Sequence, residues 1–171
     1  MKTTTYVRRE TESLDDISSL LEGRVFHVTK LDFLEAILTS GEIRANGDGS
    51  LQTTFGYTNG FFRKRNCVSL FDYRRTATDE IRHFRTNCWP LGLAHNGIAI
   101  LLLIPDIYDA LIPWTRWKEE EAWCDQVVPH VEAGYKESVS TDFISEVICL
   151  TIEENPNSPV AKLRAARHTA N

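Results

Sequence analysis

The 171-residue sequence has no apolar run long enough to cross a lipid bilayer. Its longest such run, at 98–104, is far shorter than the roughly 20 residues that a membrane helix needs, and it predicts a buried strand instead. No secretory leader is recognisable at the start of the sequence. We therefore expect a soluble, cytoplasmic protein that makes no contact with membranes.

Cysteine pairs at metal-binding spacing are missing as well. The cysteines are scattered, without a C-x-x-C pair or a histidine at zinc spacing: Cys67, Cys88, Cys124 and Cys149. This pattern favours reduced structural thiols over disulfides or a metal site, so no metal is expected. Basic residues are not in excess either, because the formal net charge is −5. This charge argues against indiscriminate coating of nucleic acid and still allows a local basic groove.

The length favours a single domain over 1–171, with 1–10 and 158–171 as flexible ends. Strand patterns occur at 24–28, 67–71, 97–104, 127–131 and 146–152, and helical patterns are interspersed among them. Such intermixing predicts an α+β fold with a mixed or mostly antiparallel sheet.

The segment 26–41 carries complete start and stop signals for a short helix. Thr29 suits the N-cap, and Gly41 suits the left-handed position that ends a helix. Between them, the apolar residues fall on one helical face: Leu31, Leu34, Ile37 and Leu38. His27 would then stand where a strand meets a helix N-terminus, whose free N–H groups attract a pyrophosphate. The alternative is a core histidine satisfied beside that turn.

A long glycine-rich loop at 42–66 combines aromatic and basic residues. Those residues are Phe55, Tyr57, Phe61, Phe62, Arg63, Lys64 and Arg65. Rings next to cations suit a nucleotide or single-stranded nucleic acid, which offers both π-faces and phosphates. The alternative is a surface loop held in place by its aromatic residues. Tryptophans 114, 117 and 123 could likewise stack on bases or simply pack.

Candidate groups for anion binding and acid–base chemistry follow two of the predicted strands. Arg74 and Arg75 come just after the strand at 67–71, where a guanidinium can clamp a phosphate. Glu132 follows the apolar run at 127–131, so it can project from a sheet edge into a cleft. Glu146 precedes a core strand and is expected to face solvent. Position therefore favours Glu132 as the catalytic acid.

The order of these residues resembles that of DarT-type DNA ADP-ribosyltransferase toxins. The stretch 26–29 with Gly41 resembles the family's opening motif, which reads aromatic-His-aliphatic-Thr and then Leu-x-x-Ile-Leu and a glycine. The segment 68–74 is similar to its second strand, which ends in an arginine motif. The segment 131–150 resembles the part in which the catalytic glutamate is followed by a closing strand. Together these segments span roughly 24–152 of this sequence.

The resemblance implies an ADP-ribosyltransferase-like fold, in which central sheets and flanking helices form a cleft for NAD, the co-substrate. It implies catalytic roles for Glu132, Arg74 and His27, although Arg75 or a loop arginine could replace Arg74. It also implies two binding sets: His27, Thr29, Tyr57, Phe62, Arg65, Ser69 and Arg74 for NAD, and Trp117, Trp123 and Arg63 for the acceptor.

The function that follows is an NAD-dependent mono-ADP-ribosyltransferase of a DNA or RNA base, acting as a toxin or phage-defence effector. Its expected partners are a nucleic-acid acceptor, most simply single-stranded, and a neutralising antitoxin protein. Two alternatives stay open. One is an NAD glycohydrolase or a protein-directed transferase, and the other is a non-catalytic domain that binds nucleotides or nucleic acid.

Overall fold

A computed structural model describes residues 1–51, 58–75, 83–84 and 88–155. Its strands are β1 (Lys2–Arg9), β2 (Val25–Lys30), β3 (Glu42–Arg44), β4 (Cys67–Asp72), β5 (Ile98–Leu103), β6 (Ile112–Pro113), β7 (Glu132–Lys136), β8 (Ser138–Ser140) and β9 (Ile144–Glu153). Its helices are α1 (Asp15–Leu21), α2 (Leu34–Ser40), α3 (Phe61–Lys64) and α4 (Arg116–Glu119). Turns of 3-10 helix lie at Leu31–Phe33, Pro90–Asn96, Pro105–Ala110 and Thr141–Phe143.

Most of these strands form one seven-stranded sheet in the order β1-β9-β5-β2-β4-β7-β6, and β3 pairs with β8 in a second, small sheet. All neighbours in the described residues are antiparallel except β1 and β9, which are parallel. The α+β class with a mostly antiparallel sheet, expected from the sequence, is therefore confirmed. No described helix is long and apolar enough to span a membrane.

Strand β5 is an interior strand of the large sheet, between β9 and β2, and is buried along its whole length. Alternate residues enter two different cores: Ile98, Ile100 and Leu102 on one face, and Ala99, Leu101 and Leu103 on the other. A strand that is covered on both faces has to be apolar at every position, which explains the run seen in the sequence. Each fully buried aliphatic side chain of this kind contributes about 1.5–3 kcal/mol.

A third, smaller core joins α3 to the segment before β7. Its buried residues are Phe61, Phe62 and Cys67, with Ile112, Trp117, Ala122 and Val127 packed around them. The chain at Gly60 bridges Gln126, and the Phe61 N–H donates to the Gln126 carbonyl at 2.7 Å. Part of the loop expected at 42–66 is therefore folded into the protein, and its two phenylalanines are fully enclosed.

The strand-to-helix unit at 26–41 differs from expectation at its start. Thr29 is not an N-cap, because β2 continues through it to Lys30 and pairs it with Ala99, leaving Thr29 buried at 6 % exposure. His27 consequently lies inside β2, opposite Leu101, and not at the N-terminus of α2. The stop signal is confirmed, since Gly41 adopts φ 76° and its N–H donates to the Ile37 carbonyl.

Two further segments differ in secondary structure from what the sequence predicts. Residues 2–9, expected in a flexible end, form β1 along the edge of the sheet beside β9. Residues 127–131, expected as a strand, form a turn, so Glu132 begins β7 instead of following a strand. The expectations for Phe55 and Tyr57 and for the flexible end at 158–171 lie outside the described residues.

The junction between β2 and β4 is short. Only two residue pairs connect these strands, Val25 with Asp72 and Phe26 with Phe71. By contrast, β2 pairs with β5, and β4 with β7, over five positions each. Beyond Phe26 the two strands no longer pair, and the large sheet therefore opens along the line between them.

Candidate functional site

Ser69 on β4 lies beside two residues predicted from separate motifs, His27 on β2 and Glu132 on β7. Strand alternation places the His27 side chain on the Leu101 face of the sheet and Glu132 on the Phe71 face, so the two approach Ser69 from opposite faces. The His27 ring nitrogen Nδ1 lies 3.1 Å from the backbone oxygen of Ser69 on β4. The Ser69 side chain lies close enough to the Glu132 carboxyl on β7 to lower its pKa. Register accounts for the second contact, because Phe71 lies opposite Glu132 and Ser69 is the next residue of β4 on the same face. Ser69 is exposed, so this chain of contacts is open to solvent.

The hydrogen bond at His27 fixes the state of its ring. A carbonyl only accepts hydrogen bonds, so Nδ1 carries the proton that it donates to Ser69. Burial lowers the pKa of His27, and this hydrogen bond opposes the shift in part. The ring is therefore neutral at neutral pH, and its second nitrogen, Nε2, is left as an acceptor.

Glu132 closes a tight turn with its own backbone. The Val128 N–H donates to Glu132 Oε2 at 3.0 Å, and the Glu132 N–H donates to the Val128 carbonyl at the same distance. Burial raises the pKa of Glu132, while the Val128 hydrogen bond and the Ser69 side chain act in the opposite direction. A partly desolvated carboxylate that accepts the Val128 N–H is held in place and is more basic than one in water.

Cys88 lies close enough to Glu132 to be affected by its charge. Burial, together with the nearby carboxylate, raises the pKa of the Cys88 thiol to about 11. The thiol is therefore protonated at neutral pH, and it cannot serve as a nucleophile there.

Arg74 is not brought to this site. Its Nε and Nη2 donate to both carboxylate oxygens of Asp72, at 2.8 and 2.7 Å, and its guanidinium lies 4.9 Å from the centre of the Tyr108 ring. The paired carboxylate raises the pKa of Arg74. Tyr108 packs against the core on the Leu101 side of the sheet, whereas Glu132 and Phe71 share the opposite face. The neighbouring Arg75 is exposed.

The loop arginines are held by contacts within the protein. Arg63 Nε donates to the Asn46 carbonyl at 3.1 Å. Arg65 pairs with Glu120 and Asp125, and its guanidinium lies 3.7 Å from the Phe61 ring centre. Arg65 therefore holds α3 to the segment before β7 instead of facing a ligand.

The aromatic residues expected to contact ligands are divided between core and surface. Phe62 has no exposed surface and cannot stack on a nucleotide in this conformation. Trp117 donates its indole N–H to the Asp125 carbonyl at 3.0 Å and packs in the third core. Trp123 is 60 % exposed and meets Trp117 edge to face at 4.7 Å. Tyr57 lies outside the described residues.

One residue near Glu132 had no sequence prediction. His130 adopts φ 63° and its ring lies between those of Trp114 and Phe84, at centroid distances of 4.5 and 5.0 Å. Its signals in the sequence are its closeness to Glu132 and its place in 117–131, the segment that the family resemblance implies as the acceptor-recognition loop. The left-handed backbone and the two ring contacts depend on the turn at 128–132.

Comparison with known proteins identified no relative of this chain. No protein-family model matches the chain, and neither the curated proteins nor the solved structures contain a match to it. Among the described residues, no group of three or more His, Cys, Asp or Glu side chains is arranged to hold a metal ion.

Proposed function

We propose that this chain is an NAD-dependent mono-ADP-ribosyltransferase that modifies a nucleic-acid base. The observation that carries the proposal is the connection of His27, Ser69 and Glu132 across three strands. These residues come from three separate segments of the sequence, and the family resemblance implies a catalytic role for Glu132, NAD binding for Ser69 and both for His27. As a toxin or phage-defence effector, the protein would also require a neutralising partner.

Glu132 has the properties that the transfer step requires. When nicotinamide leaves, positive charge develops on the ribose ring, and a fixed carboxylate beside it lowers the barrier. The Val128 N–H holds the carboxyl in place through Oε2. Because burial raises the pKa of Glu132, the carboxylate is also a better base for the proton that the acceptor loses as it attacks the anomeric carbon.

His27 and the opening beside it suit the NAD molecule. The neutral ring offers Nε2 as an acceptor for a ribose hydroxyl, while Nδ1 stays fixed on Ser69. Strands β2 and β4 stop pairing at this point, and the Ser69 carbonyl there accepts from the His27 side chain instead of from the β2 backbone. Holding the two reactants in attack geometry can itself lower the barrier by several kcal/mol.

Arg74 can bind NAD in this scheme only if its guanidinium leaves Asp72. A pyrophosphate would have to compete with Asp72, which holds the guanidinium through two hydrogen bonds. An Asp72→Asn substitution weakens that competition. If Arg74 grips NAD, this variant binds NAD more tightly than the wild type. If Arg74 serves only the fold, NAD affinity stays constant and stability falls.

The direct test is transfer of label from NAD. Purified protein is incubated with labelled NAD and, separately, with single-stranded DNA, RNA and whole-cell protein. Wild-type protein should label one nucleic acid, and Glu132→Gln and His27→Ala should each reduce this labelling at least 100-fold. Glu146→Gln is the matched control, because Glu146 lies on β9, four strands and roughly 19 Å from β7.

Other outcomes point to the alternative functions. Release of nicotinamide without an acceptor indicates an NAD glycohydrolase, and labelling of protein indicates a protein-directed transferase. Absence of transfer to any acceptor, together with absence of nicotinamide release, in folded wild-type protein refutes the transferase proposal. A non-catalytic binding domain would then be the remaining candidate.

A further inference from the structure

Strand β1 forms one edge of the large sheet, and no strand of the described residues pairs with its outer side. It is eight residues long, and half of its residues are β-branched. The opposite edge strand, β6, has only two residues, and one of them is Pro113, which cannot donate a ladder hydrogen bond. Short length and proline are two of the devices that keep a sheet edge from pairing, and β1 has neither of them.

The hydrogen bonds at the end of β1 show which of its residues face the open side. The Glu10 N–H donates to the Glu153 carbonyl at 3.3 Å, so Glu10 faces β9. Arg9 faces away from β9, because its N–H donates to Glu12 Oε2 at 2.9 Å and its carbonyl accepts the Glu12 N–H. Backbone groups of neighbouring residues in a strand point to opposite sides. The residues of β1 whose backbone groups on the open side lack a described partner are Thr3, Thr5 and Val7.

A second copy of β1, in antiparallel orientation, matches these free groups. When Thr5 lies opposite Thr5 of the second copy, Thr3 lies opposite Val7 of the second copy, and each such pair exchanges two hydrogen bonds. This register uses every free group of β1 and leaves Arg9, which is already bonded, outside the contact. The arrangement has two-fold symmetry, so each contact occurs twice.

An acidic cluster lies at the Arg8 end of β1. The Arg8 guanidinium donates to Asp16 at 2.6 Å, on the face of the sheet where Tyr6 and α1 pack. Glu12 and Asp15 line the same open cavity, of about 550 Å³. Three carboxylates beside one guanidinium leave an excess of negative charge, which a second cation would neutralise.

The register places a cation of the second copy at this cluster. Lys2, at the other end of β1, lies opposite Arg8 of the second copy and on the same face of the sheet. The Lys2 side chain is 74 % exposed, and its ion pair with Glu146, at 3.2 Å, is of the weak surface kind. Lys2 is therefore free to turn toward the acidic cluster of the second copy, and charge favours the arrangement that the backbone groups indicate.

We propose that the chain forms a homodimer by antiparallel pairing of β1 with β1 of a second copy, which joins the two large sheets into one. The contact also covers Val7, whose side chain is 53 % exposed in the single chain. The candidate site stays open, because β7 lies five strands and roughly 24 Å from β1. Dimerisation is thus independent of the proposed transferase function.

Sedimentation equilibrium of the full-length chain tests the dimer. The mass of the wild type should rise from 19.5 kDa toward twice that value. The rise should fall between about 1 and about 300 µM, the range that suits a small interface. Thr5→Pro removes the N–H at the centre of the contact and should stay monomeric, with an unchanged circular dichroism spectrum, because an edge strand tolerates proline where its N–H faces outward. Thr5→Val keeps that N–H and is the matched control, which should dimerise like the wild type.

Cross-linking tests the register in a Cys124→Ser background, which removes the exposed cysteine. Thr5→Cys should place two thiols opposite each other with Cα atoms about 5.5 Å apart, within the range of a disulfide. Mild oxidation should therefore link the two copies. Thr3→Cys should place its Cα atoms about 14 Å apart, four residues along the strands, and should not cross-link.

Three results would overturn the inference. They are a wild type that stays monomeric, a Thr5→Pro variant that dimerises like the wild type, and cross-linking of Thr3→Cys as readily as Thr5→Cys. In a monomeric wild type, slow amide hydrogen exchange at Thr3, Thr5 and Val7 would identify another segment of the same chain as the cover of this edge. Fast exchange there would show an edge that stays open. None of these results alters the test of the transferase function.

Discussion

Replacing Gly134 by alanine should destabilise the protein through a single ring contact. A Cβ atom at position 134 would lie 2.2 Å from Phe62 Cδ1, 2.8 Å from Cε1 and 3.0 Å from Cγ. Carbon atoms in contact are about 3.5–4.0 Å apart, so the ring would have to retreat by more than about 1 Å. Phe62 is completely buried and meets Phe61 edge to face at 5.0 Å, which leaves it little room to do so.

The expected loss of stability is about 2 kcal/mol. Overpacking of a core costs about 1–3 kcal/mol, and the enclosed position of Phe62 favours the upper end of this range. Alanine in a strand offsets about 0.5–1 kcal/mol of that cost, since it loses less backbone entropy than glycine. For a chain of this length, the net change should lower Tm by roughly 4–8 °C.

Urea unfolding followed by tryptophan fluorescence measures this difference, with Gly92→Ala as the control. A Cβ atom at Gly92 meets only Trp89, at an ordinary 3.5 Å, so that substitution should change stability by less than about 0.5 kcal/mol. Phe62→Ala should itself cost about 3–5 kcal/mol. In that background Gly134→Ala should be neutral or slightly stabilising. Equal costs of Gly134→Ala in both backgrounds would refute the reasoning.

Three further predictions concern charge and backbone conformation. Because burial raises the pKa of Glu132, the native state keeps the carboxyl proton to higher pH than the unfolded chain does. The free energy of unfolding of the wild type therefore falls as pH rises from the pKa of the unfolded state to that of the folded state. The stability of Glu132→Gln relative to wild type should thus increase between about pH 4 and about pH 8 in urea unfolding, and a constant difference would contradict this. Asp125→Asn removes ion pairs with Lys64 and Arg65 and should cost about 1 kcal/mol or less, a difference that shrinks in about 1 M salt; a salt-independent loss would exclude an ionic cause. Gly41→Ala should cost about 1–2 kcal/mol in thermal unfolding although no atom lies within 4 Å of its Cβ, and a smaller loss would show that φ 76° is not required there.

Features that depend on local chemistry were predictable from the sequence. Gly41 ends α2 because it takes a backbone conformation that other residues adopt at a cost. The run at 98–104 identified a buried strand because each of its faces meets a different core. At the candidate site, the family resemblance implies roles for His27, Ser69 and Glu132 that stay predictions, and no local pattern indicates that Ser69 lies beside the other two.

Features that depend on distant partners were not predictable. Thr29 looks like an N-cap until β5 extends the pairing of β2 past it. Phe62 and Arg65 look like ligand contacts in a loop, but Gly134 admits the ring of Phe62 and Asp125 neutralises Arg65. Each of these residues has a local pattern that is compatible with two environments. A partner far away in the sequence decides between the two.

The parallel pairing of β1 with β9 has a consequence for synthesis of the chain. Lys2 pairs with Glu146, so the first strand to be translated waits for a partner that is translated about 140 residues later. At about 5–20 residues per second this delay is roughly 7–30 s. During that time β1 is an unpaired segment rich in β-branched residues, of the kind that chaperones or a neighbouring nascent chain can engage. The large sheet is complete only when almost all of the described chain has left the ribosome.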